Sequence, residues 1–310
     1  MSKSLDRLTL LETFARIAER GSISSAARDL GLSQASASRH LAELETRFGV
    51  ELVRRTTHSL ALTEAGEDCL TEARKLIEGW DALSERFAES DQALSGRLKI
   101  IAPVALGQLQ LAEAALTFQQ AHPGVVLSWL LDDAPIRFAE IGCDLWIKVG
   151  DVPDETLVVR PLGKVERMVV AAPRLLGGDR PGRPADLADL PCAALQPFEA
   201  TSIPMTHADG EKETLAARAS LSTNNIFSAH KAAVMGVGYA VLPRWFVDED
   251  LNSGALVDVL PCWRAPSLTV NAAYLPARRR TRRLTAFLEH IGAAVAEIPG
   301  VEGLRSRSER

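Results

Sequence analysis

The chain has 310 residues and a formal net charge of -5 at pH 7, and 46% of its residues are hydrophobic and 24% charged. This composition is ordinary for a globular protein and leaves room for two or three domains. The acidic balance argues against a general binder of polyanions. It leaves a local DNA-binding surface open, because the field near a site depends on where the charges lie.

Neither a metal site nor a membrane segment is expected. The four cysteines, Cys69, Cys143, Cys192 and Cys262, include no CxxC pair, so a zinc site has no support and structural thiols are favoured over redox-active ones. The first residues lack the apolar core of a signal peptide, and no run approaches the roughly 20 apolar residues that a membrane span needs. We therefore expect a cytoplasmic protein without cofactor or membrane contact.

Two short helices are predicted first. Apolar residues recur at steps of four and three on one face of the first helix, at Leu10, Phe14 and Ile17. Gly21 is expected to end this helix. Ser24 is expected to cap the second helix, which runs to Gly31.

A third helix is predicted after Ser33, which suits an N-cap. Its apolar residues step by four, three and four and predict one buried stripe: Ala37, Leu41, Leu44 and Phe48. Residues 50–63 then alternate around a polar tip and are rich in β-branched residues, which predicts a small hairpin. Three helices followed by a hairpin make a winged helix-turn-helix.

The exposed side of the third helix suits the reading of DNA bases. At and near its start it carries small or polar residues: Ser33, Gln34, Ala35, Ser36, Ser38 and Arg39. Small residues let a helix approach the major groove, and Gln and Arg form paired hydrogen bonds with adenine and guanine edges. Phosphate contacts are expected from elsewhere, with Arg54, Arg55 and His58 near the hairpin tip as candidates. Any surface helix can show such residues, so the surrounding elements carry most of this argument.

One long helix is predicted from Glu64 to Asp91, with Thr63 as its cap. An apolar seam recurs along it at alternating steps of four and three: Leu62, Gly66, Cys69, Ala73, Leu76, Trp80, Leu83 and Phe87. A heptad seam of this length predicts pairing with another helix in a dimer. Packing of the helix on its own domain is the alternative.

After Gly96, strand-like and helical runs alternate to about residue 298. This alternation predicts an α/β region with a largely parallel sheet, and its length suits two subdomains. Ligands of such sheets bind outside the carboxyl ends of the strands. Residues 299–310 are polar and contain glycine, so a flexible tail is expected there.

The N-terminal part closely resembles the LysR-type transcriptional regulators. The resemblance lies in FARIAERGSISSAARDLGLSQASASRHLAELETRFGVELVRRTTHSLALTEAG, where the family has GSF-x-x-AA-x-x-L-x-x-SQ-x-x-x-S, then LE-x-x-LG-x-x-LF-x-R and LT-x-AG. It continues through GRLKIIAPVALG, GCDLWIKVG and GVGYAVLP. The run Ala35-Ser36-Ala37 departs from the family's usual residues at base-reading positions, so the operator sequence does not carry over.

The resemblance implies a fold and a domain organisation. It implies an α/β protein with an N-terminal winged helix-turn-helix, a long dimerisation helix and two α/β subdomains that resemble periplasmic binding proteins. The implied boundaries are a DNA-binding domain at 5–63, a linker helix at 64–95, and an effector-binding domain at 96–298 with subdomain I at 97–162 and 270–298 and subdomain II at 163–269.

By position, the resemblance also places a small effector in the cleft between the subdomains. The candidate residues follow strands or open helices: Pro103, Val104, Ala105, Lys148, Gly150, Gln196, Pro197, Phe198, Asn224 and Asn225. Helix N-termini and Lys148 favour anionic ligand groups, so a small carboxylate or an aromatic acid is expected. Two roles stay open. Trp146 fills a pocket or packs behind the sheet, with packing favoured, and the two asparagines are favoured as a helix cap over ligand groups.

The predicted function is sequence-specific DNA binding and regulation of transcription under the control of a small effector, by a homodimer or homotetramer on double-stranded DNA. The alternative is a small-solute receptor or an enzyme on the α/β half, with the helical domain used only for assembly. No acid, base or nucleophile is recognisably spaced for catalysis, so we predict no enzyme. The GVG at 236–238 is favoured as a helix stop, and the arginines between 278 and 283 as a solvated helix start or a subunit contact.

Overall fold

The computed structural model describes residues 6–55, 60–87, 93–178, 181–198, 202–276 and 280–303. Its helices are α1 (Arg7–Arg20), α2 (Ile23–Asp29), α3 (Gln34–Phe48), α4 (Glu64–Phe87), α5 (Val104–Leu109), α6 (Ala112–Ala121), α7 (Phe138–Ile141), α8 (Pro173–Leu176), α9 (Ile226–Val234), α10 (Arg244–Ser253) and α11 (Arg282–Glu297). Its strands are β1 (Val53–Arg55), β2 (Leu60–Leu62), β3 (Ser95–Ala102), β4 (Gly124–Leu131), β5 (Leu145–Val149), β6 (Val158–Ala171), β7 (Pro191–Leu195), β8 (Ser202–His207), β9 (Lys212–Ala216), β10 (Arg218–Thr223), β11 (Ala240–Pro243), β12 (Val257–Asp258), β13 (Trp263–Tyr274) and β14 (Val301–Gly303).

The N-terminal module is a winged helix-turn-helix, as predicted. Helices α1, α2 and α3 pack around a shared apolar core that includes Leu10, Phe14, Ile17, Ala26 and Leu41. Gly21 ends α1 in the left-handed conformation, at φ 57°, which glycine adopts without steric cost. Strands β1 and β2 pair antiparallel as the wing.

Two details of this module differ from the predictions. Ser22, and not Ser24, caps α2, because Ser22 has extended backbone and its hydroxyl accepts a hydrogen bond from the amide of Ser25. Ser24 already lies inside the helix. The buried stripe of α3 ends at Leu44, since the side of the helix that carries Phe48 projects beyond the core and leaves Phe48 53% exposed. His40, a polar residue that the stripe did not include, is buried instead.

The long helix α4 begins after Thr63, whose hydroxyl accepts a hydrogen bond from the amide of Gly66 at 2.9 Å. The two halves of its apolar seam have different environments. The first half packs against the core of the helix-turn-helix through Ala65, Cys69, Leu70, Ala73 and Ile77. The second half is exposed at Leu76, Trp80 and Leu83. The alternative of packing on its own domain therefore holds for the first half, and pairing with another helix stays a prediction for the second.

The α/β half is built on a mixed sheet with the strand order β11-β6-β13-β5-β3-β4. Strand β3 is parallel to β4 and β5, whereas β13 is antiparallel to both β5 and β6. The prediction of a largely parallel sheet is therefore wrong. The physical reason is that β6 and β13 are long strands that run in opposite directions between the two sides of the α/β half and pair with each other.

Each side of these crossing strands has its own apolar core. Helix α11 covers the first side, where Phe287 and Leu288 pack against Leu98 and Ile100 of β3. On the second side, strands β7 and β10 form a separate parallel pair, and Cys192 and Tyr239 are among the buried residues around them. Ligand sites at the ends of strands from both sides can therefore face each other.

Near the C-terminus the structure differs from two further predictions. Val301–Gly303 form strand β14 on β6, with Val301 opposite Val165, so the flexible tail predicted for 299–310 is wrong for these residues; 304–310 lie outside the described residues. Arg283 is not solvated, because it is only 7% exposed and its guanidinium donates a 2.7 Å hydrogen bond to Asp81 of α4. The arginines at 278 and 279 lie outside the described residues.

Gly236 ends α9 at φ 67°, which confirms the helix stop.

Candidate functional sites

The start of α3 is an exposed, capped helix tip. The hydroxyl of Ser33 accepts a hydrogen bond from the amide of Ser36 at 3.0 Å and contacts the Ser36 hydroxyl at 2.9 Å. Gln34, Ala35 and Arg39 are exposed, and Ser36 and Ser38 are partly buried. The sequence of α3 has no acidic residue before Glu43, so no negative side chain on its first turns cancels the partial positive charge at the start of the helix.

The opposite face of α3 is held in the core. Ala37, Leu41 and Leu44 are at most 3% exposed. Beside them His40 contacts the Thr13 hydroxyl of α1 through Nδ1 at 2.9 Å, and that hydroxyl donates to the carbonyl of Thr9. The contact is satisfied when the proton is on Nδ1 of His40, because the Thr13 hydroxyl proton is already used. Periodicity could not reveal this pair, since both residues are polar.

The wing is attached to α3 by Glu45. Its carboxylate accepts hydrogen bonds from the amides of Leu52 at 2.8 Å and Val53 at 3.3 Å, which sets the position of β1. Arg54 follows on this strand and is exposed. Arg55 ends β1. The side chain of Arg55 and the whole of His58 lie outside the described part of the structure.

A cavity of about 370 Å³ lies between the two sides of the α/β half. Its polar and loop residues follow the carboxyl ends of parallel strands: Pro103 follows β3, Asp132 follows β4 and Gln196 follows β7. This is where the rule for α/β sheets places ligands. Seven of the residues predicted for the effector line it: Pro103, Ala105, Lys148, Gln196, Pro197, Phe198 and Asn224.

Three of the residues predicted for the effector do not line this cavity. Val104 directs its amide at Asp133, which accepts the hydrogen bond at 2.9 Å. Gly150 is used by the backbone, because its carbonyl accepts a 2.8 Å hydrogen bond from Asn271. Asn225 caps α9 by accepting from the amide of Ser228 at 3.1 Å, which agrees with the cap favoured from sequence.

The cavity wall also includes residues that the sequence analysis missed or assigned elsewhere. Trp146 is 2% exposed, as packing requires, yet it also lines the cavity, and the Lys148 ammonium lies 5.6 Å from the centre of its ring. Arg167 of β6 is buried on the wall, and its guanidinium lies 5.8 Å from the ring of Phe198. Arg167 could have been noticed as the charged residue at the start of the apolar run 168–172, because a buried charge requires partners.

Charges of both signs meet at this wall. Burial lowers the pKa of Lys148, and the carboxylates of Asp133 and Asp151 act against that change. Burial raises the pKa of Asp133, while its hydrogen bond from Val104 and the charge of Lys148 oppose the rise. The cavity can therefore offer a cation to an anionic group and a carboxyl oxygen to a hydroxyl or other donor.

The described residues contain no group of three or more His, Cys, Asp or Glu side chains placed to hold a metal ion. Within the same residues, every helix is too short or too polar to cross a bilayer. None of the four cysteines, all of which are described, forms a disulfide, and burial raises the pKa of Cys69 to about 11 and of Cys143 to about 12.

Comparison with known proteins identifies the family. Residues 8–67 match the family model described as bacterial regulatory helix-turn-helix protein, lysR family, and residues 91–296 match the LysR substrate binding domain. The chain belongs to the LysR family of transcriptional regulators. It is similar to the transcriptional regulator PtxR of Pseudomonas aeruginosa, with 31% identity over 94% of this chain and 95% of PtxR. It is also similar to the uncharacterized regulator YhjC of Escherichia coli, with 28% identity over 94% and 99% of the two chains.

Solved structures of other proteins share the fold. A full-length OxyR variant from Pseudomonas aeruginosa matches with a TM-score of 0.71 at 16% identity, over 99% of this chain and 100% of that one. Full-length AphB of Vibrio cholerae matches with a TM-score of 0.57 at 23% identity, over 92% and 98% of the chains. The LysR-family protein is thus a transcriptional regulator with an effector-binding regulatory domain and not an enzyme. The alternative of a helical domain used only for assembly is wrong.

Proposed function

We propose that the tip of α3 reads base edges in the major groove of double-stranded DNA, with Gln34 and Arg39 as the main base contacts and Ser33, Ala35, Ser36 and Ser38 along the groove. The observation that carries this proposal is the exposed, capped tip without acidic residues, whose opposite face is buried. Arg54 on the wing binds the phosphate backbone, and Arg55 and His58 are proposed with it from sequence alone.

Matched arginine substitutions test these roles. Arg39→Ala should reduce discrimination between DNA sequences, by about 1–3 kcal/mol for the base pair it reads. Arg54→Ala should weaken binding to all sequences alike and reduce the salt slope by about one. Binding is measured on the DNA upstream of the coding region and on shuffled DNA at several salt concentrations. An equal loss on both DNAs for Arg39→Ala would remove its base-reading role.

We propose that the cavity binds a small aromatic carboxylate. Its volume of about 370 Å³ lies in the range of small-molecule sites, which are mostly apolar with a few placed polar groups. Trp146, Phe198 and Trp245 supply aromatic surface, and Lys148 supplies the cation for the carboxylate. Asp133 is placed to accept a hydrogen bond from a ring hydroxyl.

A thermal-shift screen tests the ligand class. Benzoate, hydroxybenzoates and aliphatic carboxylates are compared, because a ligand at a hundred times its Kd stabilises the folded state by about 2.7 kcal/mol. The shift from an aromatic acid should disappear in Lys148→Met and persist in Lys164→Met, whose lysine is exposed on β6 outside the cavity. An unchanged shift in Lys148→Met would show that the ligand binds elsewhere.

We propose that the exposed half of α4 pairs with the same helix of a second copy. Leu76, Trp80 and Leu83 lie 44–59% exposed at heptad spacing, a pattern that coiled-coil pairing buries. A homodimer would then meet two half-sites about 34 Å apart on DNA, and a homotetramer would join two such dimers. Sedimentation of Trp80→Ser should show dissociation; an unchanged mass would place the interface elsewhere.

The site of action that we propose is the cytoplasm, where such a regulator meets DNA.

A further inference from the structure

A buried arginine connects α4 with the effector half. The side chain of Arg283 is 8% exposed, and its Nη2 donates a 2.7 Å hydrogen bond to the carboxylate of Asp81 on α4. Its Nε donates to the carbonyl of Arg97 on β3 at 2.9 Å. The next residues of α11 belong to the core beside β3, so Arg283 is anchored in the effector half whereas Asp81 lies on α4.

A second contact is made by Arg74, which lies before Asp81 on α4. The guanidinium of Arg74 on α4 occupies the space that any side chain at Gly142 would need. Its Nη2 also lies 3.8 Å from the carboxylate of Glu19 on α1. The helix-turn-helix, α4 and the loop before β5 therefore meet at one junction.

Strand β5 runs from this junction to the cavity. Asp144 precedes the strand, and its carboxylate accepts a 2.7 Å hydrogen bond from the amide of Lys99 on β3. Burial raises the pKa of Asp144, and the hydrogen bond from Lys99 and the charge of Arg283 oppose that rise. Trp146 and Lys148 of the same strand line the cavity. Asp144 and Lys148 are four residues apart, which is about 13 Å along a strand.

We propose that Arg283 is the positioning residue that couples occupancy of the cavity to the orientation of α4 and the DNA-reading helix. A ligand against Trp146 and Lys148 shifts the position of β5, and Asp144 at the start of β5 is hydrogen-bonded to Lys99 of β3. Strand β3 in turn holds Arg283 through the carbonyl of Arg97, and Arg283 holds Asp81. The strength of the contact between Arg283 and Asp81 thus differs between two arrangements of α4. This inference rests on the proposed effector role of the cavity. The coupling is reciprocal, because a change at one site that shifts the equilibrium must be felt at the other.

Reciprocity allows a test without the natural effector. Amide hydrogen exchange of the full chain is measured for the wild type, for Asp81→Ala and for the control Glu72→Ala. Glu72 makes an exposed pair with Lys75 on the same helix at 2.7 Å, so the control removes an ion pair of α4 that does not reach the effector half. Both substitutions place alanine in a helix, and in Asp81→Ala the guanidinium of Arg283 keeps its hydrogen bond to the carbonyl of Arg97, so both variants should fold.

In Asp81→Ala, exchange should rise about tenfold both around residue 81 and in residues 145–149, because a hydrogen bond between charged groups is lost. In Glu72→Ala, residues 145–149 should exchange as in the wild type. A rise confined to α4, or the same rise in the control, would overturn the coupling. The exchange experiment uses neither DNA nor effector. The proposed function fails by a different result, which is a wild-type protein that does not bind DNA in the binding assay.

Discussion

The N-cap of the reading helix provides a test that separates the stability of the helix from its contact with DNA. Ser33→Ala removes the hydroxyl that accepts from the Ser36 amide at 3.0 Å, and loss of such a cap costs about 1 kcal/mol. For a cooperative unit of the size of the helical module, this lowers Tm by about 4–8 °C. The destabilised first turn carries Gln34 and Ala35, so DNA affinity should fall as well.

Ser33→Asp should have a different effect. Aspartate caps helices as well as serine does, and its charge is favourable at a helix N-terminus, so stability should be retained or increased. The same charge faces DNA if the tip enters the groove. One unit charge about 4 Å from a phosphate in water is repelled by about 1 kcal/mol, which weakens binding about fivefold.

Thermal denaturation followed by circular dichroism and binding to labelled upstream DNA give the two readouts. Ser24→Ala is the matched control, because Ser24 lies inside α2 and its hydroxyl contacts only that of Ser22, at 3.0 Å, among the described hydrogen bonds. The reasoning is refuted if Ser33→Ala is as stable as Ser24→Ala. It is refuted equally if Ser33→Asp binds DNA as tightly as the wild type.

Three further predictions concern packing, pH dependence and the core. Gly66→Ala should destabilise the protein by about 1–3 kcal/mol because its Cβ would overlap the carbonyl of Leu52. Gly79→Ala, in open space on the same helix, should stabilise the protein by about 1 kcal/mol. Urea unfolding that ranks the two variants in the opposite order would contradict the packing. Burial raises the pKa of Asp133 above its ordinary value of 3.8, so the folded state holds this proton more strongly and the contribution of Asp133 to stability declines as the pH rises from 3.8 through the folded pKa. Asp133→Asn should therefore match the wild type in stability change below that window and gain on it above, as urea unfolding across pH would show; parallel pH curves would exclude this. Phe287→Ala, in the core under α11, should cost about 3–5 kcal/mol in the same assay, and a loss below about 1 kcal/mol would mean that this core is not packed as described.

The local features of this protein could be predicted from sequence because short-range interactions determine them. The cap at Ser33 and the left-handed turn at Gly21 depend on a hydroxyl three residues from its amide and on the missing Cβ of glycine. The order of helices, wing and α/β half follows from hydrophobic periodicity. Seven of the ten residues predicted for the effector line the cavity, because the resemblance and the rule that ligands bind where parallel strands end both place them at strand ends.

Tertiary structure alone decided which distant segments meet. The antiparallel pairing of β6 with β13 made the sheet mixed, and β14 joined β6 where a tail was expected. Arg283 and Asp81 are 202 residues apart in the chain, and no local pattern marks them as partners. Periodicity and capping act within a few residues, whereas the burial of a charge is tolerated only where a partner arrives from elsewhere in the fold. The sequence by itself therefore determined the elements and the family, and the packing of the chain determined the cavity wall and the junction.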